Sequence, residues 1–70
     1  MVNVQEREKR VVARCSPAAL EYLQGLRAHP LYVVLTARLE RQQGTLFQLD
    51  VERTFVDVVK RYPLPSSRAK

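Results

Sequence analysis

A serine–proline pair, Ser16 and Pro17, is the strongest local constraint on how this chain folds. Serine is a good N-cap because its side-chain oxygen accepts a hydrogen bond from a free backbone N–H of the first helical turn, and proline is favoured at the first helical position. Apolar residues then recur at helical spacing as far as Leu26. Pro30 ends the segment, since the residue before a proline disfavours helical geometry. We therefore predict a helix over residues 17–28.

Residues 31–51 carry two competing patterns. Apolar and polar side chains alternate over residues 35–40 and again over residues 47–52, as they do in half-buried strands, and a short linker with Gly44 separates the two runs. From this alternation we predict a β-hairpin. The same stretch also contains a helical apolar stripe, and Gly44 would suit the C-terminal end of a helix. A helix therefore stays open as the alternative.

A second helix is predicted over residues 52–62. Phe55, Val58 and Tyr62 fall on one helical face there, and Pro63 ends the segment. Two helices packed on one face of a small antiparallel sheet form an α+β fold, which is our main prediction. The hairpin supplies that sheet, and both ends of the chain are expected to be flexible.

A three-helix bundle is the alternative architecture. Its helices would lie near 17–28, 31–43 and 46–62, and Thr45 and Gln48 would form a capping box at the start of the third. In either case the chain of 70 residues forms one domain. The core must be small, because a short chain buries a smaller share of its surface than a long one.

Positive charge is concentrated at the two ends of the chain. The formal net charge is +5, with +2 on residues 1–15, +4 on residues 60–70 and −1 between them. We predict a flexible N-terminal arm over residues 1–10, a globular domain over residues 11–62 and a disordered basic tail over residues 63–70. Basic ends of this kind attract phosphate groups.

The chain lacks the residues of a self-contained catalytic or metal site. It has one cysteine, Cys15, and one histidine, His29, and no C-x-x-C, H-E-x-x-H, Walker A or G-x-G-x-x-G pattern. We expect a non-catalytic protein with no cofactor and no metal. The longest apolar run, residues 31–35, is too short to cross a membrane, and the N-terminal residues are too polar for a secretion signal. We therefore expect no membrane contact and a cytoplasmic location.

Three stretches carry a resemblance to a known family: MVNVQEREKR, CSPAALEYLQGLRAHP and FVDVVKRYPLPSSRAK. They resemble the small inhibitors of host RNA polymerase made by lytic phages of Xanthomonas. The resemblance covers most of the chain and rests on no single motif. It implies a regulator in the infected host cell that binds the β′ and β subunits of bacterial RNA polymerase and inhibits σ-dependent initiation. Some proteins of this kind also alter termination.

The partner-binding residues are chosen from charge and expected exposure, because the resemblance supplies none. One group lies in and just after the predicted N-terminal arm, and the other lies at the end of the last helix. We expect a monomer that uses both groups, since two linked contacts raise each other's effective concentration. The predicted residues are Val4, Arg7, Lys9, Arg10, Arg14, Lys60 and Arg61.

A small basic nucleic-acid-binding protein is the alternative function. Its basic ends would contact phosphates, and its affinity would fall steeply as the salt concentration rises. A structural subunit that assembles with copies of itself is a third reading, and an enzyme is the fourth.

Overall fold

The computed structural model describes residues 4–63, and in them it contains four helices. They are α1 (Val4–Arg14), α2 (Pro17–Gly25), α3 (Tyr32–Arg41) and α4 (Gln48–Arg61). The central pair is α3 and α4, which pack on each other, with α1 against α3 and α2 against α4. The fold is therefore a small helical bundle. No helix in the described part is both long and apolar enough to cross a membrane.

The predicted α+β fold is wrong. Within the described part of the chain, β pairing is limited to an isolated parallel bridge between Cys15 and Leu46. The predicted hairpin region, residues 31–51, contains α3, a loop and the first turn of α4. No antiparallel sheet is present in residues 4–63.

Burial explains why α3 is helical although it is rich in β-branched and aromatic residues. Its buried side chains recur at i, i+3, i+4 and i+7, which places all of them on one helical face. A strand would divide the same residues between two opposite faces, so only a helix brings all of them into the core. Tertiary packing therefore overrides the local strand preference. The buried residues of α3 are Tyr32, Leu35, Thr36 and Leu39.

The predicted start of α2 is confirmed. Ser16 is its N-cap, and the Ser16 Oγ accepts a hydrogen bond from the Ala19 backbone N–H at 3.2 Å. The predicted end at residue 28 is three residues too late, because α2 ends at Gly25. Glycine is a poor helix former, and the backbone N–H groups that follow donate to carbonyls three residues earlier, in the tighter pattern of a turn.

The predicted flexible arm is wrong for residues 4–10, which form most of α1. Val11 anchors α1 to the rest of the bundle, because its side chain is fully buried in the core. The first turns of α1 are polar, so they lack the apolar stripe that would have indicated a packed helix. Residues 1–3 lie outside the described part, and of the predicted tail only Pro63 is described.

The three-helix alternative is nearer to the structure, since it contains counterparts of α2, α3 and α4, but it lacks α1. Its capping box between Thr45 and Gln48 is wrong. The N-cap of α4 is Phe47, whose backbone N–H donates to Asp50 Oδ2 at 2.7 Å. This bond sets the start of α4 at Gln48, before the predicted helix over residues 52–62 begins.

Candidate binding surface on helix α4

The first two arginines of the predicted binding set are engaged within the molecule. Glu40 of α3 lies between Arg7 and Arg10 of α1: its Oε1 is 3.3 Å from Arg7 Nε, and its Oε2 accepts a hydrogen bond from Arg10 Nε at 2.6 Å. The Arg7 side chain is mostly buried, whereas that of Arg10 is 57% exposed. These ion pairs hold the polar part of α1 against α3, so both arginines have partners within the fold.

Arg14, the last residue of α1, also binds inside the fold. Its guanidinium donates to the carbonyl oxygens of Glu40, at 3.3 Å, and Gln42, while its Nε donates to the carbonyl of Gly44 at 3.1 Å. The C-terminal carbonyls of a helix have no partner within the helix, so Arg14 supplies donors that α3 and the following loop need. Gly44 has a φ of +79°, a conformation that favours glycine.

The remaining predicted residues differ in their surroundings. Lys9 is exposed on α1 and makes no ion pair among residues 4–63. Val4 is the first residue of α1. Lys60 and Arg61 come together at the C-terminal end of α4, which packs mainly against α2 and α3. The structure therefore separates the two predicted groups onto different helices.

Arg61 shares a carboxylate with α3. Asp57 Oδ2 accepts from Arg38 Nη2 at 2.7 Å and from Arg61 Nε at 3.0 Å, which ties α4 to α3. The Arg61 side chain nevertheless stays 64% exposed. Its neighbour Lys60 is exposed and has no ion pair within the described residues.

A continuous stripe of α4 faces away from the core, and we call it the outer face of α4. Its residues are spaced at i, i+4, i+7 and i+11, so they lie on one side of the helix. The buried residues Val51, Thr54 and Val58 occupy the opposite side. The outer face of α4 consists of Leu49, Arg53, Val56 and Lys60, all of them exposed.

The acids of α4 are all hydrogen-bonded within the fold, whereas two of its three bases make no ion pair among the described residues. Asp50 caps the helix, Asp57 binds two arginines, and Glu52 Oε2 accepts from the Gln48 side chain at 2.7 Å. By contrast, Arg53 and Lys60 make no ion pair with any described residue. The outer face of α4 therefore presents two cations that have no ion-pair partner among residues 4–63.

Sequence reasoning missed Arg53 and the apolar residues of this stripe. The signal for this stripe in the sequence was the spacing at i, i+4, i+7 and i+11, which places four residues on one side of a helix: Leu49, Arg53, Val56 and Lys60. It was obscured because a hairpin was predicted up to residue 51.

The other chemistry-bearing residues have structural partners. Burial raises the pKa of the Cys15 thiol, which disfavours the reactive thiolate, and its Sγ donates to the Val11 carbonyl at 3.3 Å. His29 accepts from the Leu31 backbone N–H at 3.0 Å and packs edge-on against the Phe55 ring. No group of three His, Cys, Asp or Glu side chains among residues 4–63 is arranged to hold a metal ion.

No family model matches the chain, and neither a curated protein nor a solved structure matches it.

Acidification below about pH 4 is expected to destabilise the fold. Hydrogen bonds from Arg10 to Glu40 and from Arg38 to Asp57 hold the pKa of each carboxyl below its ordinary value. A carboxylate of this kind stabilises the fold above its unfolded-state pKa, and that stabilisation is lost as the pH falls through the folded-state pKa. Urea unfolding between about pH 6 and about pH 2 measures the effect.

The control for this prediction is the double variant Glu40→Gln/Asp57→Asn. Neither amide titrates, so the variant should be less stable than the wild type near neutral pH and should lose less stability on acidification. A pH profile parallel to that of the wild type would contradict the assignment of acid sensitivity to these two carboxylates.

Proposed function

We propose that this is a non-catalytic, basic nucleic-acid-binding protein and that the outer face of α4 contacts the ligand. The observation that carries the proposal is the exposure of two cations, Arg53 and Lys60, that have no ion-pair partner in the described fold, whereas the acids of the same helix are all hydrogen-bonded within the fold. The protein as a whole carries a net charge of +5, which attracts a polyanion such as a nucleic acid.

The spacing of these cations suits two separate phosphates. Seven residues of helix separate Arg53 from Lys60, which corresponds to about 10.5 Å along the axis. The exposed Arg61 lies beside Lys60, and residues 60–70 contain four basic residues and no acid. Each phosphate contact releases condensed counterions, so the affinity must fall as the salt concentration rises.

Lys60→Gln is expected to weaken binding and to reduce its salt dependence. Affinity falls with salt, and removing one phosphate contact makes the slope of log affinity against log salt less steep by about 0.9. The loss of affinity between about 50 and about 200 mM salt then becomes about threefold smaller. Fluorescence anisotropy with a labelled duplex DNA gives both quantities.

The matched control is Lys9→Gln, which removes the same charge from an exposed, unpaired position on α1. Binding of this variant should keep the wild-type salt slope, because its charge is not at the contact surface. If Lys9→Gln lowers the slope and Lys60→Gln does not, α4 is the wrong surface and the predicted N-terminal group is favoured.

Apolar exposure favours a second candidate function. Large apolar side chains are exposed along α4 and at both of its ends, and an exposed apolar patch next to arginines is typical of protein interfaces. The candidate is a regulator that binds the β′ and β subunits of bacterial RNA polymerase and inhibits σ-dependent initiation, as the sequence resemblance implies. The exposed apolar residues along α4 and at its ends are Phe47, Leu49, Val56, Val59 and Tyr62. Both candidates would act in the cytoplasm of a bacterial host cell.

Affinity capture from bacterial lysate, with and without nuclease, distinguishes the two candidates. Retention of polymerase subunits after nuclease treatment supports the polymerase regulator. Loss of all bound protein after nuclease treatment, together with direct binding to purified DNA, supports the nucleic-acid-binding protein.

A further inference from the structure

We infer that the nucleic acid is double-stranded DNA and that α4 enters its major groove, with Leu49 and Val56 against thymine methyl groups. This inference rests on the proposed function and adds the class of ligand and the way in which it is read.

The dimensions of α4 fit a major groove. An α-helix with its side chains is about 10–12 Å across, and the major groove of B-form DNA is about 12 Å wide. The helix has 14 residues, which gives a length of about 21 Å. Its outer face is exposed from Leu49 to Lys60, so most of that length is free to enter the groove.

The composition of the outer face argues against RNA and against single strands. The major groove of double-stranded RNA is too narrow for side chains to read. Single strands are commonly held by stacking of their bases on aromatic rings. The outer face of α4 has no aromatic residue, which favours a duplex of DNA.

The apolar residues supply the sequence preference. Leu49 and Val56 have no hydrogen-bonding side-chain group, and the apolar group that base pairs present in the major groove is the C5-methyl of thymine. The two residues are seven positions apart, about 10.5 Å along the helix, or about three base-pair steps. Arg53 lies between them and Lys60 follows, so apolar and basic positions alternate along the stripe.

Packing holds α4 in a fixed orientation behind this surface. Val51 and Val58 are fully buried. The Gln42 side chain donates to Thr54 Oγ1 at 2.7 Å, and Asp57 binds Arg38 of α3. A rigid support of this kind keeps the exposed side chains at fixed positions, as a reading surface requires.

The test compares a duplex of A·T pairs with the same duplex in which deoxyuridine replaces every thymidine. This replacement removes the C5-methyl groups and leaves the phosphates and hydrogen-bonding groups unchanged. Anisotropy titrations at one salt concentration compare the two duplexes. The deoxyuridine duplex should bind about fourfold more weakly for each thymine methyl group that an apolar side chain covers in the unmodified duplex.

Leu49→Ala/Val56→Ala should abolish the difference between the two duplexes and keep the salt slope of the wild type. Both side chains are about half exposed, so the fold should persist, and circular dichroism checks this. Val33→Ala is the matched control, because Val33 is similarly exposed but lies on α3. This control should keep the preference for thymine.

The outcomes separate the inference from the proposed function. Equal affinity for both duplexes, with Lys60→Gln still reducing the salt slope, overturns the inference and leaves nucleic-acid binding standing. Tighter binding to single-stranded DNA or to duplex RNA also overturns the inference alone. Absence of binding to every nucleic acid at low salt overturns both.

Discussion

Leu39→Ala is expected to lower the free energy of unfolding by about 3 kcal/mol. Leu39 is fully buried on α3, the helix that packs against both α1 and α4. Truncating it removes apolar burial and leaves a cavity between these helices, and both effects destabilise the fold. A domain of this size has a total stability of roughly 4–10 kcal/mol, so the loss would remove between about a third and about three quarters of it. Urea unfolding followed by circular dichroism measures it.

Val33→Ala is the matched control for Leu39→Ala. It removes methyl groups from the same helix, but the Val33 side chain is 46% exposed. A surface change of this kind should shift stability by no more than about 0.5 kcal/mol. A loss below about 1 kcal/mol for Leu39→Ala would contradict the close packing of α3 between its neighbours.

Arg14→Met is expected to destabilise the protein by about 2 kcal/mol. Methionine keeps an apolar stem but removes the donors that bind the carbonyls of Glu40, Gln42 and Gly44. The site is partly exposed, so water replaces some of these donors and limits the loss. Arg14→Lys should fall between methionine and the wild type, because a lysine ammonium cannot reproduce the planar fork of a guanidinium. Urea unfolding of the three proteins gives the comparison.

Arg41→Met is the matched control for the clamp made by Arg14. Arg41 is exposed at the end of α3 and makes no ion pair among residues 4–63, so its replacement should change stability by no more than about 0.5 kcal/mol. If Arg14→Met kept full stability and lost only partner binding, Arg14 would be a docking residue, as the sequence analysis predicted, and its structural role would be wrong.

Local signals in the sequence were enough for the start of α2 but insufficient for α3. Ser16 and Pro17 act within one helical turn, so the start of α2 could be predicted from neighbouring residues alone. The choice between strand and helix at residues 32–41 depended on which face becomes buried. That burial arises from packing against α1 and α4, which lie outside the segment itself, and the local alternation favoured the wrong answer.

The candidate surface could be predicted only in part, for a similar reason. Lys60 was selected from charge and is exposed, but the same criterion selected Arg10, whose partner Glu40 lies 30 residues away. Distinguishing unpaired from paired cations needs tertiary structure, because ion pairs such as Arg38 with Asp57 join different helices. Arg53 lies within the predicted helix over residues 52–62, but it was not selected because Glu52 and Asp57 lie close to it in the sequence and charge alone does not show which bases are unpaired.

The attachment of α1 has a consequence for the order in which the chain becomes protected from hydrogen exchange. Its contacts to α3 and the following loop join residues about 26 to 30 positions apart, whereas α3 and α4 are joined by a short loop. Local contacts close more readily than distant ones, and the polar first turns of α1 have little helical stability alone. We therefore expect the amides of α1 to exchange through a partial opening that leaves α3 and α4 intact, so that α1 would form a separate, less stable cooperative unit.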